Sequence, residues 1–311
     1  MSCKLNNPVI YVVGPTASGK TSLSMEIAKH FGGHILCGDS MQIYKNMPIA
    51  TAAPTAEERC GIRHRLFEFL EPTENFSVSD YVLLAKEEIK KVQAENALPI
   101  VVGGTGLYIT SLAENIDFGE GCNDDLVRQK LENRAENEGL DALYSELEEI
   151  DPKAAKKISI NDAKRIIRAL EVYYTSGENI TEREIKSRKN GRIFDNIFIG
   201  VNFLNRNTLY ERINKRVDLM VENGLVSEAK NSLLCGGKTA AQAIGHKELK
   251  PYFDGVSSLE DAVEHLKMQT RRYAKRQITW FTKNENINWV YMDDECDPTS
   301  KAISIIENKL Y

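Results

Sequence analysis

The sequence predicts an α/β protein, in which helices flank a parallel sheet and a helical insertion interrupts the chain. Two observations predict this class. Short β-branched apolar runs alternate with segments of helical periodicity over about the first 110 residues. After residue 118, a charged segment with helical spacing and no β-branched runs begins. We therefore predict a core of residues 1–118 and 193–311, and an insertion of residues 119–192.

The core begins with a buried strand at Pro8–Val13, and a helix follows at Lys20–Phe31, because Leu23, Ile27 and Ala28 share one face and Gly32-Gly33 ends the pattern. Further elements are predicted from the same signals. They are strands at 34–37 and 98–102, a third strand at 67–70, and a helix from Ser79-Asp80 to about Asn96.

The insertion is predicted to contain one helix beginning at Asp151-Pro152 and another capped by Asn161-Asp162 and ended by Gly177. Residues 183–192 form a basic loop or a frayed helix. A strand at 193–201 then rejoins the sheet. Helical spacing from Leu209, a long helix capped by Ser258, and a last strand at 288–292 complete the core.

Composition limits the classes of function. The chain has 311 residues, a net charge of −5 and a pI of about 5.7, so a nucleic-acid ligand would have to bind local basic patches. No apolar run approaches the ~20 residues of a membrane span, and no secretory signal is evident. We expect a cytoplasmic protein that does not bind membranes. The six scattered cysteines are expected to be reduced thiols, and no Cys/His spacing predicts a zinc site.

The segment GPTASGKT matches the phosphate-binding pattern G-x-x-x-x-G-K-[ST] and lies between a strand and a helix. Its glycines permit the tight turn that directs backbone N–H groups at phosphate oxygens, and the helix adds its positive end. Lys20 supplies a mobile charge, and Thr21 supplies a hydroxyl ligand for Mg²⁺. The predicted phosphate-binding residues are Gly14, Pro15, Thr16, Ala17, Ser18, Gly19, Lys20 and Thr21. The predicted sheet is therefore P-loop NTPase-like.

The polar residues after the other strands do not match a phosphoryl-transfer enzyme. Such enzymes commonly place a Mg²⁺-ordering Asp after a second apolar strand. Here the strand at 98–102 is followed by Gly-Gly-Thr-Gly, and the carboxylate, Asp39, follows the strand at 34–37. From local sequence alone, Asp39 is equally interpretable as a turn cap or as a functional group.

Basic residues are clustered. Arg212 and Arg216 share a helix face, and spacing alone favours a solvated surface for this pair. Other clusters occur near residues 153–157, 164–168, 183–192 and 271–276. Clustered charge in an acidic protein indicates a channel for a polyanion, although any single cluster is also consistent with helix surface.

Several of these motifs together resemble the tRNA dimethylallyltransferase (isopentenyltransferase) family, of the shorter bacterial type. The resemblance covers nearly the whole chain in order. The matching segments are VVGPTASGKTSLS (12–24), GDSMQIYKNMPIATAAP (38–54), VGGTGLYI (102–109), DPKAAKKISINDAKRIIRALEV (151–172), LYERINKRVDLMVENGLVSEA (209–229), and AIGHKEL with QTRRYAKRQITWF between 243 and 281.

The resemblance implies transfer of a dimethylallyl group from dimethylallyl diphosphate to N6 of adenosine 37 in tRNA. It implies that the P-loop holds the departing diphosphate rather than a nucleotide, with Mg²⁺ bound through Thr21. Asp39 would accept the proton of the attacking amine. Thr16, Thr105 and Arg216 would complete the catalytic group by stabilising the diphosphate.

The resemblance also implies that the insertion grips the anticodon stem-loop. Separately, we expect a monomer. The tRNA contacts that the resemblance implies are Asp39, Ser40, Met41, Gln42, Thr105, Arg128, Asn161, Asp162, Ala163, Lys164 and Arg165. Of these, Arg128 has the poorest local match. We add Arg271 and Arg272, on the expectation that their helix lines the channel. Eukaryotic members carry a C-terminal zinc finger, for which this sequence shows no Cys/His spacing.

Three alternatives remain open at this point. One is a relative that prenylates free adenine nucleotides, which would not need the basic insertion. Another is a small-molecule P-loop kinase that uses the insertion as a lid, against which the missing carboxylate after residues 98–102 argues. The last is a GTPase-like switch, which would require an N-K-x-D motif that the sequence lacks.

Overall fold

The protein forms two compact units. A computed structural model describes residues 5–118, 124–234, 239–294 and 297–311. One unit comprises Met1–Ala113 and Arg192–Tyr311, and the other comprises Glu114–Gly191. The first unit is α/β, and the second is helical in its described residues.

The first unit contains one parallel sheet of six strands in the order β3-β2-β4-β1-β5-β6. The strands are β1 (Pro8–Val13), β2 (Gly33–Cys37), β3 (His64–Arg65), β4 (Leu98–Gly103), β5 (Asp195–Asn202) and β6 (Ile287–Tyr291). In the pairing register, Val13 lies beside Gly103 and Gly200, and Cys37 lies beside Val102. Because the strands are parallel, the segments that follow β1, β2 and β4 leave the same edge of the sheet side by side.

Helices flank this sheet in the first unit, and a separate set of helices forms the second unit. In chain order they are α1 (Lys20–Phe31), α2 (Pro48–Thr51), α3 (Val78–Ala94), α4 (Gly106–Ala113), α5 (Asp125–Asn137), α6 (Leu140–Ile150), α7 (Pro152–Ala155), α8 (Ala163–Ser176), α9 (Ile180–Ser187), α10 (Arg206–Glu222), α11 (Leu225–Leu234), α12 (Lys250–Phe253), α13 (Leu259–Phe281) and α14 (Pro298–Leu310). Short 3₁₀ turns occur at Ala240–Gln242 and Lys247–Leu249. None of the helices in the described ranges has the length and apolar character that crossing a bilayer requires.

The second unit packs α5, α6 and α8 around a small apolar core that includes Leu131, Leu143 and Leu170. The prediction for α8 is confirmed. Its N-cap is Asp162, whose carboxylate accepts the N–H of Arg165, and Gly177 ends the helix in the left-handed conformation (φ 73°).

Some predicted elements differ from the observed ones. The third strand is His64–Arg65 rather than 67–70, because Leu66 and Glu68 have positive φ angles (65° and 49°), which a strand does not accommodate. Helix α3 begins earlier than predicted, since Ser77 forms a capping box with Asp80. The first part of the segment 183–192 belongs to α9, and α14 was not predicted.

Of the cysteines within the described ranges, Cys37 and Cys60 are free thiols, as predicted. The prediction for Cys3, Cys122, Cys235 and Cys296 lies outside the described residues.

Candidate functional site

The loop between β1 and α1 has the backbone geometry of a phosphate-binding loop. Gly14 has φ 150°, and a Cβ atom there would lie 2.2 Å from the carbonyl oxygen of Val201, so only glycine fits. Gly19 is left-handed (φ 94°) and immediately precedes α1. The loop therefore leads directly to the N-terminus of a helix, where unpaired N–H groups and the helix dipole favour an anion.

Lys20 lies within this loop, and its Nζ donates a hydrogen bond of 2.5 Å to the carbonyl oxygen of Pro15. Desolvation lowers the pKa of Lys20 to about 7. The Asp39 carboxylate opposes this shift, while the neighbouring Arg216 guanidinium adds to it. Burial likewise lowers the pKa of Arg216, and Asp39 again opposes the shift. Two cations and one carboxylate therefore share a partly desolvated space, and the positive charge exceeds the negative.

Two cavities meet at the loop. The first, which we name the inner cavity, has a volume of about 290 Å³. It is lined by residues from the P-loop, from the segments after β2 and β4, and from α2, α10 and α13, among them Thr16, Lys20, Thr21, Asp39, Ser40, Met41, Gln42, Gly104, Arg216, Lys247, Tyr273, Arg276 and Gln277. The inner cavity thus joins the phosphate loop to a carboxylate.

The second, the outer cavity, has a volume of about 390 Å³ and lies on the side of the loop facing α10. It is lined by residues 17–21 together with Arg212, Lys215, Arg216 and Leu219. Arg212 Nε donates to the carbonyl oxygen of Ala17 at 3.0 Å. Among the described residues, those that line the outer cavity include four basic side chains and no carboxylate, so its chemistry suits an anion.

Asp39 caps a turn and also lines the inner cavity. Its Oδ1 accepts the N–H of Met41 at 3.0 Å, which caps the turn after β2. The residue also lines the inner cavity, and its charge influences both Lys20 and Arg216. A carboxylate that is oriented by one oxygen still has lone pairs available for a proton.

Thr105 ties the segment after β4 to the segment after β2. Its Oγ1 accepts the N–H of Ser40 at 2.9 Å and donates to Ser40 Oγ at 3.2 Å. The hydroxyl of Tyr273 is in hydrogen-bonding contact with the Thr105 side chain, and burial raises the pKa of Tyr273. Thr105 therefore orients the residues around Asp39 and is itself oriented from α13.

The far wall of the inner cavity depends on a buried carboxylate. Glu228 accepts the N–H groups of Ile49 and Ala50 at 2.8 and 2.9 Å, and the Nε2 of the buried His246 lies 3.0 Å from Glu228 Oε1. These bonds hold the start of α2. At the other end of α2, Gln42 Nε2 donates to the carbonyl oxygens of Thr51 and Ala52 at 3.0 and 3.1 Å.

Sequence reasoning did not assign a role to several of the lining residues, namely Lys247, Tyr273, Arg276 and Gln277. Three of them lie on α13, and the spacing of 273, 276 and 277 puts them on one helix face. That spacing was the available signal. Arg271 and Arg272, which we predicted instead, are not among the residues that line the inner cavity. The Arg271 guanidinium donates to Asn214 Oδ1 at 2.5 Å.

The other predicted tRNA contacts lie in the second unit. Lys164 and Arg165 are exposed in the first turn of α8, next to Asn161, Asp162 and Ala163. Arg128 is paired with acids, since its Nε lies 3.3 Å from Glu132 Oε1 and its Nη1 lies 3.7 Å from an oxygen of the buried Glu171.

The residues around the loop suit a Mg²⁺ ion that is coordinated mainly by the phosphate oxygens of a ligand. Within the described ranges, no group of three or more His, Cys, Asp or Glu side chains could hold a metal. Thr21 lines both cavities. Mg²⁺ often binds through one or two protein oxygens and several phosphate oxygens, and Thr21 suits that arrangement.

Fold and site together define an α/β protein with a P-loop-like site. The loop after β1 leads to a helix N-terminus that favours an anion, and the carboxylate of Asp39, which follows β2, lines the same cavity. The comparisons with known proteins name the family. Residues 42–284 match the model of the IPP transferase family. The chain therefore belongs to the IPP transferase family.

Close relatives cover nearly the whole chain. A tRNA dimethylallyltransferase from Acetivibrio thermocellus is 48% identical, with 95% of each chain covered. One from Bacillus subtilis is 45% identical, with 96% of this chain and 95% of the relative covered.

Two solved structures share the fold. The tRNA isopentenylpyrophosphate transferase from Bacillus halodurans has a TM-score of 0.73 at 39% identity, with 98% of this chain and 97% of that chain covered. A eukaryotic dimethylallyltransferase acting on tRNA has a TM-score of 0.84 at 29% identity, with 97% of this chain and 79% of that chain covered.

Proposed function

We propose that this protein transfers a dimethylallyl group from dimethylallyl diphosphate to N6 of adenosine 37 in tRNA and releases diphosphate. The names of its relatives support the reaction class. The observation that carries the proposal is the inner cavity, which is lined by Lys20 of the P-loop, Arg216 of α10 and Asp39. A prenyl transfer needs a site for a leaving diphosphate and a base for the amine, and the combination of two cations and a carboxylate in one cavity supports both roles.

The bonds change as follows. The C–O bond between the dimethylallyl carbon and the diphosphate breaks, and its electron pair leaves with the diphosphate. The adenine amine supplies the pair for the new C–N bond and loses a proton, which Asp39 accepts. An adenine amine is a weak nucleophile because its lone pair is delocalised, so proton removal during attack contributes about 10²–10⁴-fold to the rate.

Charge develops on the departing diphosphate and is stabilised by preorganised donors. Lys20, Arg216 and the N-terminus of α1 surround the position where this charge collects. The backbone N–H of Thr16 is occupied by Gln277, so Thr16 contributes through its hydroxyl. The Thr21 hydroxyl would hold Mg²⁺, which would supply neutralising positive charge. Thr105 acts by holding Ser40 beside Asp39.

The acceptor base must leave its stack to reach an enclosed cavity. Ser40, Met41 and Gln42 line the cavity and are the proposed contacts to the extruded nucleotide. In the second unit, Asn161, Asp162, Ala163, Lys164 and Arg165 are proposed to bind the anticodon stem-loop, since exposed cations at a helix N-terminus suit a phosphate. Arg128, being paired with Glu132 and Glu171, contributes less. We expect a monomer that acts in the cytoplasm.

The experiment compares acceptors. The purified protein is incubated with dimethylallyl diphosphate, Mg²⁺ and, in separate reactions, unmodified tRNA, AMP or ATP. Prenylation of tRNA at the adenosine 3′ of the anticodon is expected, with no product from AMP or ATP. Prenylation of AMP alone would refute the tRNA assignment. Turnover of ATP with a small-molecule acceptor would instead favour the kinase alternative.

A further inference from the structure

One side chain connects the two glycine-rich loops of the site. Gln277 lies on α13 and is 5% exposed. Its Oε1 accepts the N–H of Thr16 at 2.8 Å, and its Nε2 donates to the carbonyl oxygen of Gly104 at 2.9 Å. The first bond joins residues 261 positions apart in the sequence, and the second joins residues 173 apart. Because β1 and β4 are neighbours, this amide spans the gap between the segments that leave them.

The orientation of the amide is fixed by the backbone groups that it meets. An amide N–H can only donate and a carbonyl oxygen can only accept, so the side-chain oxygen must face Thr16 and the nitrogen must face Gly104. The reverse orientation would oppose donor to donor and acceptor to acceptor. No isosteric residue supplies both groups, since glutamate lacks the donor and methionine lacks both.

The segment after β4 is adapted to this contact. A Cβ atom on Gly104 would lie 2.1 Å from Gln277 Nε2, so any side chain at this position would displace the amide. Gly104 has no positive φ among the backbone angles described, so the close approach of Gln277 accounts for the glycine. The next residue, Thr105, accepts the N–H of Ser40 with its hydroxyl oxygen. The segment that Gln277 contacts is therefore hydrogen-bonded to the segment that carries Asp39.

We propose that Gln277 is a positioning residue that fixes the P-loop relative to the segment 103–106, and thereby the leaving group relative to the attacking amine. This inference rests on the proposed function for its catalytic consequence. Thr16 and Lys20 belong to the loop that holds the diphosphate, while Thr105 orients the residues around Asp39. A displacement of about 1 Å between reacting groups costs roughly 100-fold in rate.

The test compares Gln277→Met, Gln277→Glu and the control Asn288→Leu. Asn288 also donates its side-chain amide to a backbone carbonyl, that of Phe198 at 2.9 Å, but it does not line the inner cavity. Steady-state kinetics should show kcat lowered about 100-fold by Gln277→Met, with the Kd of dimethylallyl diphosphate and the KM for tRNA within threefold of wild type. Gln277→Glu, which keeps the acceptor for Thr16 but opposes an oxygen to Gly104, should also lose most of kcat. Asn288→Leu should leave kcat within twofold.

A second measurement does not depend on transfer. Hydrogen exchange should be faster in both residues 14–21 and residues 103–106 of Gln277→Met, and unchanged there in Asn288→Leu. If wild-type protein transfers no prenyl group, the proposed function fails, while this exchange pattern still tests the connection between the loops. The inference is overturned if exchange in the two loops is unaffected. It is also overturned if kcat is retained and only the KM for tRNA rises, because Gln277 would then act as an RNA contact.

Discussion

The lowered pKa of Lys20 makes ligand binding dependent on protons in a way that can be measured. Desolvation holds this pKa at about 7 in the protein without ligand. A diphosphate in the P-loop would add negative charge beside the ammonium group and restore the pKa toward its ordinary value of about 10.4. At pH 8, a group with a pKa of about 7 is roughly 10% protonated, so binding should take up about 0.9 of a proton at Lys20.

The direction of the pH dependence of binding follows from whether the free or the ligand-bound protein holds more protons. The ligand-bound state binds more protons than the free state above pH 7, so the affinity for dimethylallyl diphosphate falls as the pH rises, by about tenfold per unit between pH 7.5 and 9. Below pH 7 this dependence fades and is lost by about pH 6, because Lys20 is then mostly charged before binding.

Calorimetric titration with dimethylallyl diphosphate in buffers of different ionisation enthalpy measures this uptake directly, without tRNA and at constant Mg²⁺. Lys20→Met is the matched variant, because it keeps the length of the side chain and removes the titrating group. The difference between the two proteins cancels protons exchanged by the ligand. Equal proton uptake by wild type and Lys20→Met at pH 8 would refute the reasoning.

Three further predictions concern other residues. Asp39→Asn keeps an oxygen for the N–H of Met41 but loses the base, so transfer should fall about 10²–10⁴-fold, and near-normal turnover would contradict the role of Asp39. Because the Asp39 charge raises the pKa of Lys20, the Kd of dimethylallyl diphosphate is compared at a pH well below 7, where Lys20 is charged in both proteins, and should remain within threefold of wild type. Glu228→Ala leaves the N–H groups of Ile49 and Ala50 without their acceptor and should lower the free energy of unfolding in urea by about 3 kcal/mol. The control Glu26→Ala removes an exposed pair with Lys29 and should change this free energy by less than about 0.5 kcal/mol, and an equally small change for Glu228→Ala would contradict the role of the buried carboxylate. Replacing both Arg271 and Arg272 with methionine should weaken the affinity for tRNA and reduce its salt dependence, and unchanged affinity at low salt would assign both residues to plain helix surface. Arg276→Met should slow transfer more strongly than this double variant, because Arg276 lines the inner cavity.

The sequence predicted the sheet and the phosphate loop because their signals are local. A buried strand such as Pro8–Val13 is a continuous β-branched run, and the loop requires glycine at fixed positions. The third strand was placed wrongly, since two residues at 64–65 carry little pattern of their own. Their pairing with Ile35 and Leu36 is set by tertiary contact, and the positive φ angles nearby have no glycine to indicate them.

The site was less predictable because its walls come from distant parts of the chain. Gln277 lies more than 170 residues from both of its partners, and its spacing from Tyr273 and Arg276 on one helix face does not indicate which backbone groups it meets. Arg276 and Arg271 belong to the same basic cluster, and only the rotation of α13 against the sheet determines which of them lines the inner cavity. The support that Glu228 gives to α2 likewise depends on packing that spacing does not reveal.

The most direct test of the central claim follows a single product. Unmodified tRNA is incubated with the protein, dimethylallyl diphosphate and Mg²⁺, and is then digested with a ribonuclease into fragments whose sequence and mass are determined by mass spectrometry. We expect that one adenosine, the one 3′ of the anticodon, gains the mass of a dimethylallyl group with wild type and not with Asp39→Asn. A wild-type product on another nucleoside, or equal product from the two proteins, would contradict it.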